Sequence, residues 1–231
     1  MKIGILETGA PPPDLATRFG DYGVMFEHLL GETVFEWVHF NVQAGELPPA
    51  PSACDGYLIT GSSAGVYDPA PWIGATERFL RDAKGEAALV GVCFGHQLMA
   101  QAFGGKVIKS PKGWGVGLHR YEVIHRRPWM DAAATIAAPA SHQDQVIEAP
   151  PATTVLAGSD FTPFGMLAWD DQPALSIQLH PEFDPAYARA LIEARRGSRY
   201  GEAQADAAIA SLGGPDDRAR LGRWIGAFLR R

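Results

Sequence analysis

The sequence predicts an α/β fold, in which a parallel β-sheet carries helices on both faces and a small antiparallel layer is added to it. Short apolar segments alternate with amphipathic segments through the first half of the chain, an order typical of β-α-β units. The second half contains closely spaced strand-like segments separated by turn residues, which indicates antiparallel pairing. Helical segments return at the C-terminal end.

The elements of the first half follow from hydrophobic periodicity. Short apolar segments predict strands at Lys2–Glu7, Val34–Asn41, Tyr57–Thr60 and Ala87–Val92. Segments with apolar residues at helical spacing predict helices at Asp14–Leu30, Pro71–Lys84 and Gln97–Phe103. In parallel sheets of this kind, reactive groups gather beyond the carboxyl ends of the strands. Both the loop Gly61–Gly65 and Cys93 fall at such ends.

The second half predicts short strands followed by helices. The strands are expected at Lys106–Ile108, Leu118–Ile124, Thr135–Ala138, Thr154–Ala157, Met166–Trp169 and Ala174–Gln178. The helices are expected at Pro185–Arg195, Glu202–Ser211 and Pro215–Arg230. The length favours a single domain over residues 1–231, with a core at about 1–195 and a C-terminal helical extension at about 202–231. The apolar face of the last helix is expected to pack on this core rather than on a second copy of the chain: Leu221, Trp224, Ile225 and Phe228.

Composition excludes several classes of function. The net charge of -6 argues against a general nucleic-acid surface, and the one dense basic cluster, Arg195, Arg196 and Arg199, is interpreted as a solvated face. No stretch reaches the ~18 apolar residues that a membrane span requires, so no membrane partner is expected. Two cysteines are too few for a secreted disulfide scaffold, so we expect a cytoplasmic protein in which Cys54 is structural.

The other cysteine, Cys93, lies in the sequence Gly-Val-Cys-Phe-Gly at residues 91–95, between an apolar segment and an amphipathic one. Glycines on both sides allow a sharp strand-to-helix turn that exposes the side chain at the end of a sheet. The same geometry presents the serine of Gly-x-Ser-x-Gly hydrolases. The N-terminus of the following helix favours the thiolate, so Cys93 is predicted to be a nucleophile.

A nucleophilic cysteine needs a base, and the base needs a partner that orients it. His180 follows an apolar strand, so it is expected at the same sheet edge as Cys93. Glu182 comes two residues later, and side chains two apart in an extended segment point the same way. Glu182 is therefore predicted to fix the tautomer of His180. The alternative interpretation is a surface His-Pro turn.

A tetrahedral oxyanion needs backbone N–H donors. The amide of Phe94, at the start of the helix, is one candidate, and the Gly61–Ser62 part of the neighbouring strand-end loop is the other. This loop has two alternative interpretations, a plain flexible turn and a phosphate-binding loop. No Gly-Lys-Ser/Thr signature follows it, which disfavours the phosphate-binding loop.

The polar segment Ser141–Val146 follows a strand and is predicted either to line a pocket or to form a capped turn. Cys93, His142 and His180 together offer zinc-ligand chemistry. Metal sites usually contain closely spaced ligand pairs, and this sequence contains none among these residues. We therefore expect neither a metal nor another cofactor.

These motifs resemble those of the class I (triad) glutamine amidotransferases. The similarity covers most of the chain, from Lys2 to about Phe183, and is strongest to the amidotransferase domain of GMP synthases and to stand-alone γ-glutamyl peptidases. Four motifs occur in the family's order: residues 60–67, 91–97, 141–146 and 180–182.

The resemblance implies a flavodoxin-like sheet and a triad of Cys93 as nucleophile, His180 as general base and acid, and Glu182 as its orienting partner. It implies a γ-glutamyl thioester on Cys93 that water resolves. It places oxyanion donors at the backbone of Phe94 and of Gly61 or Ser62. It also implies that the glutamyl α-amino and α-carboxylate groups are held by Gln97, Ser141, His142, Gln143 and Asp144.

The chain departs from the family pattern in two respects. Ser62 and Ser63 replace the usual glycine and proline of the oxyanion loop, which would admit a bulkier leaving group. The family's larger enzymes continue into an ATP-pyrophosphatase, whose Ser-Gly-Gly-x-Asp-Ser loop is absent from these residues. We therefore expect no synthase activity in this chain alone.

Three functions remain open from the sequence. The first is a stand-alone hydrolase of glutamine or a γ-glutamyl peptide, which the serines of the loop favour. The second is a glutaminase subunit that passes ammonia to a separate synthase chain. The third is a catalytically silent binding protein, which an intact triad disfavours. A small γ-glutamyl compound is the expected ligand in the first two.

Overall fold

The computed structural model describes residues 1–231 and contains a central mixed sheet with helices on both faces. In chain order the strands are β1 (Lys2–Leu6), β2 (Glu36–Phe40), β3 (Gly56–Ile59), β4 (Ala88–Val92), β5 (Lys106–Lys109), β6 (Gly115–Val123), β7 (Thr135–His142), β8 (Asp144–Glu148), β9 (Thr153–Gly158), β10 (Met166–Trp169) and β11 (Ala174–Ile177). The helices are α1 (Pro13–Phe19), α2 (Tyr22–Leu30), α3 (Pro71–Asp82), α4 (Phe94–Ala102), α5 (Pro185–Arg195), α6 (Glu202–Ser211) and α7 (Arg218–Leu229).

The main sheet has nine strands in the order β2-β1-β3-β4-β11-β10-β9-β6-β7. Strands β2, β1, β3, β4 and β11 are parallel neighbours, and the remaining pairs are antiparallel. The predicted fold class is confirmed. Most of the antiparallel strands extend the same sheet, and only β5 and β8 form a separate two-stranded sheet. Because β3, β4 and β11 are adjacent and parallel, their carboxyl ends lie side by side.

Two predicted elements differ from the structure. The helix predicted over Asp14–Leu30 is wrong as a single element, because Gly20 adopts a φ of 82° and separates α1 from α2. The break places Tyr22 at the start of a helix of its own. The strand predicted to end at Ala138 continues to His142, since β7 pairs with β6 along its whole length.

The hydrophobic core lies on both faces of the sheet. One cluster joins α2 and α7 to one face, and the other joins α3 and α4 to the opposite face. The apolar residues of the last helix, Leu221, Trp224, Ile225 and Phe228, are buried in the first cluster, as their spacing predicts. None of the helices combines the length and apolar character that crossing a membrane requires.

A charged cluster ties α2 to the sheet beside this core. The His39 imidazole on β2 hydrogen-bonds Glu7 Oε1 at 2.8 Å and Glu27 Oε1 at 2.5 Å. The bond to Glu7 raises the pKa of His39 to about 9, against the opposing effect of burial and with the help of Glu27. The protonated imidazole therefore stabilises the fold.

We expect this stabilisation to depend on pH in a defined direction. A pKa that is higher in the folded state gives stability that is fully present below pH ~6.5, the ordinary value, and is lost as the pH rises through about 9. Solvent reaches the three side chains, so the expected loss is about 1 kcal/mol. Urea unfolding at pH 6 and pH 9.5 measures it. The same pH step in His39→Gln is expected to cost about 1 kcal/mol less, and an identical loss in both proteins would contradict the assignment.

Candidate active site

The carboxyl ends of β3, β4 and β11 bring together the residues that the sequence placed at one sheet edge. Cys93 follows β4, the loop from Gly61 follows β3, and His180 follows β11. A Cβ atom built on Gly61 would lie 3.1 Å from His180 Cε1 and 3.8 Å from Cys93 Cβ. The three segments therefore meet at one point, and only a residue without a side chain fits at Gly61.

The strand-to-helix turn at Cys93 is as sharp as its flanking glycines predict. Cys93 adopts φ 53° and ψ −103°, a conformation that a residue with a side chain rarely takes. A Cβ on Gly91 would lie 2.5 Å from the Gly95 carbonyl oxygen, and one on Gly95 would collide with the Ile59 carbonyl. Strain of this kind concentrates at functional sites. It holds the Cys93 side chain at the N-terminus of α4.

His180 and Glu182 form a buried pair. His180 Nδ1 lies 2.7 Å from Glu182 Oε1, and the two side chains are 4% and 0% exposed. The sequence predicted this contact, but its reason was wrong. Residues 180–183 form a turn rather than an extended segment, closed by a bond from the Phe183 N–H to the His180 carbonyl. The Phe183 ring stacks on the imidazole at 3.9 Å, with 7° between the planes.

The surroundings of His180 favour its protonated form. Burial lowers the pKa of His180, but the neighbouring Cys93 sulfur and the Glu182 carboxylate outweigh burial and raise it to about 10. Since Nδ1 is engaged by Glu182, Nε2 is the nitrogen left for the sulfur. An imidazolium beside a cysteine is the partner that stabilises a thiolate.

Backbone amides without acceptors face this point. Phe94 N–H is the first amide of α4, where no intrahelical acceptor exists. The amides of Gly61 and Ser62 donate to no protein acceptor. Thr8 explains their direction, because its hydroxyl donates to the Thr60 carbonyl at 2.8 Å and to the Gly61 carbonyl at 3.2 Å. In a trans peptide the N–H points opposite to the carbonyl, so both amides point away from Thr8.

Thr8 is a positioning residue that the sequence reasoning missed. It is fully buried and follows β1, the strand beside β3. The available signal was its place just beyond the carboxyl end of a predicted strand, the same criterion that identified Cys93 and Gly61.

The segment that follows β7 lines the same cavity. Gln97 Nε2 donates to the Asp144 carbonyl at 2.9 Å and to Gln178 Oε1 at 3.1 Å, so this amide nitrogen is committed to the protein. His142 Nδ1 lies 3.1 Å from the same carbonyl. Burial lowers the pKa of His142 to about 3, which keeps its imidazole neutral.

Ser141, Gln143 and Asp144 also line the cavity, so all five predicted substrate residues reach it. The hydroxyl of Tyr67 donates to Asp144 Oδ2 at 2.8 Å, linking the oxyanion loop to this segment. Burial raises the pKa of Asp144, and the nearby Tyr67 and Lys109 oppose that effect.

The cavity has a volume of about 270 Å³ and contains more functional side chains than the sequence indicated. The additional polar and aromatic lining residues are Tyr22, Tyr67, Asp68, Lys109, Trp114, Arg195 and Arg199. The interpretation of the basic cluster as a solvated face is wrong for Arg195 and Arg199. It holds for Arg196, which pairs with Glu193, Glu202 and Asp206.

Comparison with known proteins identifies the family. The family model for class-I glutamine amidotransferases matches residues 30–195. γ-Glutamyl peptidase 4 of Arabidopsis thaliana is 30% identical, over 80% of this chain and 77% of its own. One chain of the two-chain type of glutamine-hydrolyzing GMP synthase, from Methanothrix thermoacetophila, is 29% identical, over 70% of this chain and 85% of its own.

A solved structure of a glutamine amidotransferase from Thermotoga maritima has the same fold. It superposes with a TM-score of 0.77, covering 100% of this chain and 97% of that one at 16% identity. The fold and the family model agree with the motifs at residues 60–67, 91–97, 141–146 and 180–182. The chain belongs to the class-I glutamine amidotransferase family.

Proposed function

We propose that this protein hydrolyses a γ-glutamyl amide, either glutamine or a γ-glutamyl peptide, through a thioester on Cys93. One observation carries the proposal: Cys93, the His180–Glu182 pair and unpaired backbone amides converge on one cavity. The γ-glutamyl peptidase and GMP synthase relatives support the substrate class. No step of this chemistry needs a metal or another cofactor.

In the first step the Cys93 thiolate attacks the γ-carbonyl carbon, forming the S–C bond. The carbonyl π electrons move to oxygen, and the oxyanion accepts hydrogen bonds from the Phe94 amide and from that of Gly61 or Ser62. The tetrahedral intermediate then collapses, and the C–N bond breaks. The imidazolium of His180 donates its Nε2 proton to the leaving nitrogen, so ammonia or an amine departs and the γ-glutamyl thioester remains.

In the second step water resolves the thioester. His180, now neutral, accepts a proton from the attacking water, whose oxygen forms the new C–O bond. Collapse of the second oxyanion breaks the C–S bond, which releases glutamate and restores the thiolate–imidazolium pair. Glu182 keeps Nδ1 protonated and stabilises the imidazolium in both steps.

The cavity also offers groups for the amino-acid end of the substrate. We propose that Ser141–Asp144, with Gln97 behind them, bind the glutamyl α-amino and α-carboxylate groups. The Asp144 carboxylate suits a cationic amine, and Lys109 beside it suits a carboxylate. Gln97 acts by holding the Asp144 carbonyl in place.

A second candidate is a glutaminase subunit that passes ammonia to a separate synthase. The similarity to one chain of a GMP synthase favours it. The two candidates share the chemistry on Cys93 and differ in whether the released nitrogen reaches water or a partner chain.

A substrate screen of the purified protein tests the proposal and separates the candidates. Glutamate release is measured with glutamine, γ-glutamyl dipeptides and glutathione. A stand-alone hydrolase turns over one of these at a rate of about 1 per second or more, the usual range for an enzyme on its own substrate. Glutamine hydrolysis far below that range, raised by a synthase chain, indicates the glutaminase role. No glutamate from any of them, with or without a synthase, would rule out both.

A further inference from the structure

The arginines of the cavity have no role in the chemistry described above. Arg195 is the last residue of α5, and Arg199 follows one helical turn later, its amide bonded to the Arg195 carbonyl at 2.9 Å. Both line the cavity. Neither guanidinium has a carboxylate partner within 4.0 Å, whereas the adjacent Arg196 has several. The same short segment thus contains one arginine used for structure and two left unpaired beside Cys93.

Each guanidinium is held in place by a neutral group. Arg195 Nη1 donates to Ser141 Oγ at 2.8 Å, which leaves the other N–H groups of this half-buried side chain free. The Arg199 guanidinium lies over the Trp114 indole, 5.6 Å from its centroid. Positioning by a hydroxyl and an aromatic ring leaves the positive charge uncompensated. Two such arginines form a ready site for a carboxylate, which guanidinium groups bind in a bidentate manner.

The arginines lie on the His180 side of the cavity. Phe183 stacks on the His180 imidazole, and Tyr22 packs on Phe183 with 5.6 Å between the ring centroids. Arg195 is close enough to Tyr22 for its charge to oppose the burial that raises the pKa of that phenol. His180 delivers the proton to the leaving nitrogen, so the leaving group must also lie on this side.

The opposite assignment, in which the arginines bind the α-carboxylate of the glutamyl group, is less favoured. The acidic groups that suit the α-amino end, Asp68 and Asp144, adjoin Lys109 and Tyr67. Neither arginine is among the charges that act on Asp144. The glutamyl end therefore has a cation of its own.

We propose that Arg195 and Arg199 bind the carboxylate of the leaving group, so that the preferred substrate is a γ-glutamyl peptide or γ-glutamyl amino acid rather than glutamine. This inference rests on the proposed function and names its substrate class. The leaving amine of such a substrate bears a carboxylate, and ammonia bears none. Ser62 and Ser63 line the same cavity and leave room for the larger group.

The test compares γ-glutamylglycine with γ-glutamylglycinamide, which have the same scissile bond and differ only in the terminal carboxylate. We expect the protein to favour the acid in kcat/KM by on the order of tenfold or more, mainly through KM. Arg195→Gln and Arg199→Gln are each expected to reduce this ratio several-fold, and the double variant to bring it close to one. Arg189→Gln, which removes an exposed charge from α5 outside the cavity, is expected to keep the ratio.

Calorimetric binding of both compounds to Cys93→Ala gives a readout that does not depend on turnover. Equal turnover and equal affinity of acid and amide would overturn the carboxylate site while leaving the hydrolase intact. A preference that survives in the double arginine variant would also overturn it. An arginine-dependent binding preference without any hydrolysis would support the site and reject the proposed reaction. Absence of both binding and hydrolysis would reject both.

Discussion

Replacing Cys93 with alanine is expected to lower the turnover of γ-glutamyl substrates by about a thousandfold or more. The variant loses the atom that forms the thioester, so the reaction must proceed by direct attack of water. The oxyanion amides and the binding groups remain, which accounts for any residual rate. Initial rates of glutamate release, compared at equal protein concentration, measure the effect.

The other cysteine provides the matched control. Cys54 is also buried and free, but it lies outside the cavity. Cys54→Ala is expected to retain activity within a few-fold, because the sulfur there serves packing. Retention of more than about a tenth of the activity in Cys93→Ala would contradict the covalent route. Incubation of the native protein with substrate, followed by acid quench and mass spectrometry, is expected to show a γ-glutamyl adduct on Cys93.

Removing the imidazole of His180 is expected to lower turnover to a similar extent and to slow the alkylation of Cys93. The imidazolium supplies both the charge beside the sulfur and the proton for the leaving nitrogen. Iodoacetamide labelling of Cys93 in His180→Ala at pH 7, followed by peptide mass spectrometry, measures the first role separately from the second. We expect the labelling rate to fall about tenfold or more.

Glu182→Gln tests the orienting partner. The amide keeps the shape of the side chain but removes the charge that helps to raise the pKa of His180. The imidazolium is then less favoured, so Cys93 is expected to need a higher pH for the same labelling rate. His28→Gln, at an exposed histidine far from these side chains in the fold, is the control. Unchanged labelling in both His180→Ala and Glu182→Gln would mean that the N-terminus of α4 alone activates the sulfur.

The fold was predictable where local patterns carry the information. The β-α-β order of the first half and the bounds of α5 and α6 follow from periodicity and turn residues. The split between α1 and α2 was missed because one glycine inside an amphipathic stretch is compatible with a continuous helix. The merging of β6, β7, β9 and β10 into the main sheet depends on long-range pairing, which local patterns do not encode.

The sequence by itself determined the family motifs, the sharp turn at Cys93 and the pairing of His180 with Glu182. Each depends on residues close together in the chain, where glycine spacing and strand ends act directly on the backbone. Only the tertiary structure decided that Thr8 orients the oxyanion loop and that Arg195 and Arg199 face the cavity. Those contacts join strands and helices distant in the chain, and a helix end can point toward solvent or toward a cavity without any change in its sequence pattern.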